Sequence, residues 1–416
     1  MKKSRVAYQA IRWASLIGLI LLLVSSAVAQ DDFPYNGSDD LAAALAFVPD
    51  NSGSRSWTTY GDYRAAAASR GMELPENFEA FAASGAPLAA FMPAGGLSLS
   101  FINSFGDMPA ALGFDFFTVE RTLTWGLPPD QGIYLSGAFD VEAVRAAHLE
   151  RGFVEYDWEG TPVWCSADGC DAGALVDFAN RQPADIFGGD LGRRFPRAAT
   201  ASVIVGAGVD TTLADSLRAG LQGEGSYADN PLVVAALRGL DGEYYLRAAQ
   251  FARPDDFLAL ALDGIAAGAS EEAIRAYQDA VRGGADNLPV YNLAVFGDAA
   301  DAKSEYALIV LVYRDEALAQ TAASVLDERL QVAISGVIDA PWRDLIAERG
   351  GEIAPARVIA VPEVERAVVV IALTSPLPDS QPGSDGRPVR SGALYQLIIN
   401  AFSRRDLGWL QPVLLN

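Results

Sequence analysis

The sequence predicts an α+β protein with antiparallel or mixed sheets and helices packed on one face, arranged as two ferredoxin-like β-α-β-β layers. Three observations carry that expectation. Short runs rich in β-branched and aromatic residues are separated by single helical periods. Several of those runs are also joined by tight turns, which close hairpins and demand antiparallel neighbours. Half of the 416 residues are apolar and a fifth are charged, a balance that fills an ample core and excludes disorder.

The elements follow in order. Gly132 to Phe139 reads as a strand, and Asp140 can cap a helix from Val141 to Arg151 that carries Val141, Val144 and His148 on one face and stops at Gly152. Phe153 to Trp158 turns through Glu159-Gly160 and returns over Thr161 to Trp164 as a hairpin. A second unit begins with a strand over Thr200 to Val205, continues as helices near Thr212 to Leu221 and Pro231 to Leu240, and ends as a strand over Tyr244 to Phe251. Pro254 suits a first helical turn, and Ser270 caps a helix whose Ile274, Tyr277 and Val281 line one face before Gly283-Gly284 ends it.

In the last third, Val290 to Phe296 and Glu305 to Tyr313 pair around Gly297-Asp298. Asp315 opens a helix that turns Leu318, Ala322, Val325 and Leu326 inward, and Pro341 starts a short one. Arg357 to Val361 and Arg366 to Leu373 are strands, the second an apolar run that requires burial on both faces. Pro376, Pro378, Pro382 and Pro388 make an exposed loop before a closing helix, Ser391 to Phe402, that buries Leu394, Leu397, Ile398 and Ala401. The expected division is a signal peptide over residues 1–29, an N-terminal α+β domain over 30–198 and a C-terminal one over 199–416.

The leader is read from a basic start, an apolar run from Ala14 through Val24, and Ala27-Val28-Ala29 as a signal-peptidase site. Export with cleavage before Gln30 is the leading expectation, an uncleaved membrane anchor is the alternative, and after Gln30 no apolar stretch is long enough for a membrane span. Four of the 31 basic residues (Lys2, Lys3, Arg5 and Arg12) fall in the leader, so the mature chain sets 27 basic residues against 53 acidic ones, a net charge of −26. Such a chain repels nucleic acid. The two cysteines, Cys165 and Cys170, stand either side of an Asp168-Gly169 turn, which in an exported chain favours a small disulfide loop over a redox or zinc centre.

Ala46-Phe-Val-Pro49, Trp57-Thr-Thr-Tyr-Gly-Asp-Tyr-Arg64, Gly137-Ala-Phe-Asp140 with Gly152-Phe153, and Ser226-Tyr-Ala-Asp-Asn-Pro231 together resemble exported or lipid-anchored bacterial proteins similar to the domain-of-unknown-function group 3352. The resemblance is spread over residues 41–410. It implies an envelope or extracellular protein, and it assigns no activity and no cofactor.

Chemistry is sparse. His148 is the only histidine, so any Ser-His-Asp or Cys-His scheme must use it, and its mid-helix place favours a structural role. No phosphate-cradling loop, Gly-x-Ser-x-Gly elbow or Asp-Thr-Gly triplet occurs. Asp157 and Glu159 at the hairpin tip, with Asp168 and Asp171 in the cysteine loop, are the candidate calcium ligands, because folding of the hairpin would bring four carboxylates to one end of the sheet. The tryptophans are expected mostly in the core, with Trp158 and Trp164 on one face of the hairpin. The sequence thus points to a non-enzymatic envelope or extracellular module that binds an envelope ligand or protein or serves a structural part. A hydrolase using paired carboxylates is the alternative.

Overall fold

A computed structural model describes residues 35–97, 104–257, 270–284, 287–377 and 392–412. The leader and most of the proline-rich loop lie outside the described residues. The chain divides into Met1–Tyr35 and Asn36–Asn416, and the fold is that of the second unit.

Alternating apolar runs become strands β1 (Thr58–Asp62), β2 (Val119–Trp125), β3 (Gly132–Gly137), β4 (Phe153–Trp158), β5 (Thr161–Ser166), β6 (Arg197–Ala199), β7 (Val203–Ala207), β8 (Tyr245–Ala252), β9 (Leu293–Ala300) and β10 (Ser304–Tyr313). A small ribbon, β11 (Ile334–Ser335) with β12 (Ala340–Pro341), precedes β13 (Glu352–Ile353), β14 (Arg357–Val361) and β15 (Arg366–Pro376). Helices α1 (Val141–Glu150), α2 (Asp210–Leu217), α3 (Pro231–Leu240), α4 (Glu271–Arg282), α5 (Glu316–Val332), α6 (Trp342–Ala347) and α7 (Ala393–Ser403) lie between and after them. The α+β class is therefore as the sequence predicts.

The strands form one 13-stranded sheet in the order β13-β15-β10-β9-β8-β1-β2-β3-β7-β6-β5-β4, with β14 also against β15. Every pairing is antiparallel, so the expected pair of ferredoxin-like layers is replaced by a single sheet. The reason is β1. It pairs β2 on one side and β8 on the other, and β7 sits against β3, so residues on both sides of position 199 share the same ladder.

Both faces are covered where the strands are most apolar, which corrects the expectation of helices on one face only. Val295, Val310, Val368 and Val370 pack on one side with Val233 and Ala236 of α3. Phe296, Ile309, Val369 and Ile371 pack on the other with Leu326 of α5, Ile346 of α6 and Ile398 of α7. Each such fully buried aliphatic side chain contributes roughly 1.5–3 kcal/mol. A third core under α1 gathers Val144, Phe153, Trp164, Phe187 and Phe195.

Capping matches the sequence closely. The side chains of Asp140, Asn230, Ser270 and Asp315 accept hydrogen bonds from the first turns of α1, α3, α4 and α5. Gly152 takes φ +79° after α1, and Gly283 φ +77° after α4. Val281 is buried, whereas the side chains of Ile274 and Tyr277 lie outside the described residues. One turn is misplaced by the sequence reading. Gly297-Asp298 lies inside β9, and the β9–β10 hairpin closes at Asp301, whose side chain accepts from the N–H groups of Lys303 and Ser304.

Candidate functional site

The hairpin β4–β5 ends in Glu159 at φ +50° and Gly160 at φ +86°. Two successive positive values define the two-residue hairpin turn whose twist matches its strands. Cys165, near the end of β5, is bonded to Cys170 just beyond it, with Cα atoms 4.6 Å apart. The four candidate calcium ligands are expected at one end of the sheet, but Cys165 lies opposite Val154, which puts the cystine loop at the end of the hairpin away from the Glu159-Gly160 tip.

Three of the four have separate partners. Asp157 accepts from the Gly160 N–H at 3.2 Å, and Glu159 accepts from Gln222 Nε2 at 2.7 Å. Asp171 accepts from the Asp210 N–H at 2.9 Å and so caps α2 from a distance, while Asp168 is exposed at the turn of the cystine loop. Among the described residues no group of three or more His, Cys, Asp or Glu side chains stands close enough to hold a metal ion, so the structure does not bring these four together.

His148 is buried on α1, stacked on Trp164 with ring centroids 5.3 Å apart and edge-on to Phe153. Its Nδ1 lies 2.6 Å from the Val144 carbonyl oxygen, so Nδ1 carries the proton, and its Nε2 has no hydrogen-bond partner. Burial, with the nearby Arg197 charge, pushes the imidazole down to about 3. The imidazole is thus held neutral between aromatic rings, with Nδ1 committed to a carbonyl of its own helix.

Three buried ionic groups were not anticipated. Asp185 is fully buried and accepts from Arg197 at 2.9 and 3.1 Å, from Arg151 at 2.7 Å and from the Phe187 N–H. Burial raises this carboxyl, but Arg197 and Arg151 outweigh that and hold it at about 2. Arg197 is itself clamped between the rings of Phe153 and Phe187, 4.8 and 4.7 Å from their centroids. Arg247 donates to Asp298 at 2.6 Å and to Glu305 at 2.8 Å, and Glu305 also receives the Gly392 N–H at the start of α7. Asp62 accepts from Asn36, Tyr60, Arg121 and the Ala65 N–H, and Arg121 also reaches Asp40 at 2.9 Å. Burial pushes Asp62 up to about 6 against the opposing charge of Arg121.

One of these arginines sits on a bulge, and another follows one. The β8–β9 register slips between Leu246 and Ala248, which turns Arg247 toward Asp298, and the β2–β3 register slips between Val119 and Arg121. A signal was present in the sequence: an arginine inside an apolar strand needs a buried acid, and Asp298 is the acid that the sequence reading assigned to a turn.

Trp125, Trp164, Trp342 and Trp409 are core residues, and Trp57 is 41% exposed. Trp158 packs against the core that includes Val163 and Cys165, whereas Trp164 lies in the core beneath α1. The two are on opposite faces because the two-residue turn pairs Trp158 with Thr161 and Glu155 with Trp164, which breaks the even count along the chain. Elsewhere, an open cleft of about 390 Å³ lies between Gly283-Gly284 and the side chains of Val325, Glu328, Arg329, Gln331 and Val332 on α5. No helix among the described residues is long and apolar enough to cross a membrane.

No family model and no curated protein matches the chain. Solved structures that match it include crystal form IV of TP0453, at 10% identity and a TM-score of 0.31, covering 85% of this chain and 96% of that one. Crystal form III of TP0453 matches at 10% identity and a TM-score of 0.27, covering 79% of this chain and 93% of that one.

Proposed function

We propose that this chain is an exported protein of the bacterial envelope or exterior that acts as a non-catalytic binding or structural module. The observation that carries this reading is the commitment of its buried acids. Asp62, Asp185, Asp298 and Glu305 each accept from an arginine, and Asp406 accepts from Ser335 and the Gly336 N–H. A carboxylate hydrolase needs an acid of raised pKa facing substrate. Burial raises Asp62, to about 6, and also Asp298 and Asp406, and all three are buried with their oxygens taken up by donors of the chain itself.

Export is supported by the leader and by the Cys165–Cys170 bridge, since such bonds persist in oxidising compartments. The resemblance to group 3352 implies the same location. The test is a thermal-shift titration of the chain from Gln30 against cell-wall glycans and peptides, with release of products followed in parallel. A ligand at a hundred times its dissociation constant stabilises by about 2.7 kcal/mol, which gives a saturable rise in melting temperature. No shift across the panel would restrict the reading to a structural part. Glycan or peptide hydrolysis that disappears in an Asp62→Asn variant would overturn it.

A further inference from the structure

We propose that the outer edge of β4 is a strand-addition site for an extended peptide that alternates basic and apolar residues; this rests on the binding-module reading and names its partner. Among the described residues β4 is the last strand of the sheet, with no strand beyond it. In a two-residue hairpin the pair flanking the turn exchanges both backbone hydrogen bonds. Trp158 and Thr161 flank it, so Trp158, Tyr156 and Val154 point their backbone groups at β5. Phe153, Glu155 and Asp157 therefore present their N–H and C=O groups outward, an unpaired row that a further strand would complete.

The edge lacks three of the usual guards, lysine, proline and a bulge, and the charge it carries is all acidic. Phe-Val-Glu-Tyr-Asp-Trp contains no Lys, Pro or Gly, and its pairing with β5 runs without a bulge over all six residues. The opposite edge of the sheet is different: β13 has two residues, β14 has five, and Pro355 stands between them. Exposure agrees with an open edge. Val154 is 40% and Tyr156 45% exposed, and both project from the same face as Trp158.

Charge selects the occupant. Glu155 and Asp157 project from the other face, with Glu159 at the turn. Glu155 accepts from Arg145 at 2.6 Å and from Trp164 Nε1 at 3.0 Å, whereas among the described residues Asp157 and Glu159 accept from the neutral Gly160 N–H and Gln222. A second copy of β4 added about a twofold axis sets Glu155 opposite either Glu155 or Asp157, and like charges directly opposite are unfavourable. A strand with lysine or arginine at alternate positions meets these acids, while its intervening apolar residues cover Val154 and Tyr156.

The experiment uses the oxidised chain from Gln30 and three capped hexapeptides: alternating lysine and valine, alternating glutamate and valine, and the lysine peptide with every second amide N-methylated. Calorimetric titration should show saturable binding of the first, and binding at least about tenfold weaker for the other two, as lost charge pairs or backbone bonds predict. Val154→Lys, at an exposed position, should weaken the lysine peptide about tenfold without lowering the melting temperature. Amide exchange should slow at Phe153, Glu155 and Asp157 and stay unchanged at Val154, Tyr156 and Trp158, which β5 already protects. No binding of the lysine peptide, or protection elsewhere in the chain, overturns the site. Self-association that protects the same three amides without peptide overturns the choice of partner. A glycan that shifts the melting temperature while all three peptides fail to bind leaves the module reading standing and removes only this edge.

Discussion

Burial pushes the Asp62 carboxyl up from 3.8 to about 6 and the His148 imidazole down from 6.5 to about 3, so acid acts on the two with opposite sign. For Asp62 the folded state binds its proton more tightly than the unfolded chain, and its contribution to stability grows as pH falls through 6 toward 4. For His148 the unfolded chain binds the proton more tightly, and stability is lost as pH falls below 6.5. Between pH 7 and pH 4 the first adds about 2 kcal/mol and the second removes about 3, and these nearly cancel. Relative to the wild type, Asp62→Asn should therefore become about 2 kcal/mol more acid-sensitive over that range, and His148→Phe about 3 kcal/mol less so, read as unfolding free energies in urea at the two pH values. Parallel slopes for all three chains would show that neither group titrates differently on folding. Asp185 behaves as an ordinary paired acid held at about 2: its stabilisation is present above pH 4 and lost as pH falls toward 2. Asp185→Asn leaves Arg151 and Arg197 without their counter-charge and should cost about 3–5 kcal/mol, measured by the same unfolding titration.

At the scale of elements, the cystine loop closes six residues between β5 and the turn that follows. By the loop-entropy relation this is worth about 2 kcal/mol, so reduction should lower the melting temperature of the 416-residue chain by only about 3 °C. An unchanged melting temperature would mean that the bridge restrains nothing the fold does not already fix. The elements themselves were largely legible. Helix starts at Asp140, Ser270 and Asp315, and stops at Gly152 and Gly283, depend on local hydrogen bonding and on φ, both written in single residues. The β9–β10 turn was not, because Gly-Asp is a strong turn signal and only Arg247, some fifty positions away, explains why Asp298 stays inside a strand. Trp158 and Trp164 show the same limit, since which face each takes depends on the turn between them rather than on their spacing. Likewise, proximity along the hairpin and cystine loop did not make a metal site of Asp157, Glu159, Asp168 and Asp171. The tip of the hairpin holds Asp157 and Glu159 and its other end the cystine loop, and Asp157, Glu159 and Asp171 each accept from a different donor.

At the scale of the molecule, the α+β class could be read from hairpins and single helices, but strand order could not, because β1 gives no local sign that its partners are β2 and β8. A ladder shared across position 199 predicts one cooperative unfolding transition, with calorimetric and van't Hoff enthalpies in agreement. Two resolved transitions would show that the halves melt separately despite the shared sheet. The place of β1 also fixes an order of events while the chain is being made. Thr59 lies opposite Gln250, 191 positions later, so β1 cannot gain its second neighbour until β8 has left the ribosome. At ordinary elongation rates that interval is about 10–40 s. Through it the middle of the sheet stays open, and a nascent chain in that state is the form best suited to be held by a chaperone or threaded unfolded through a pore.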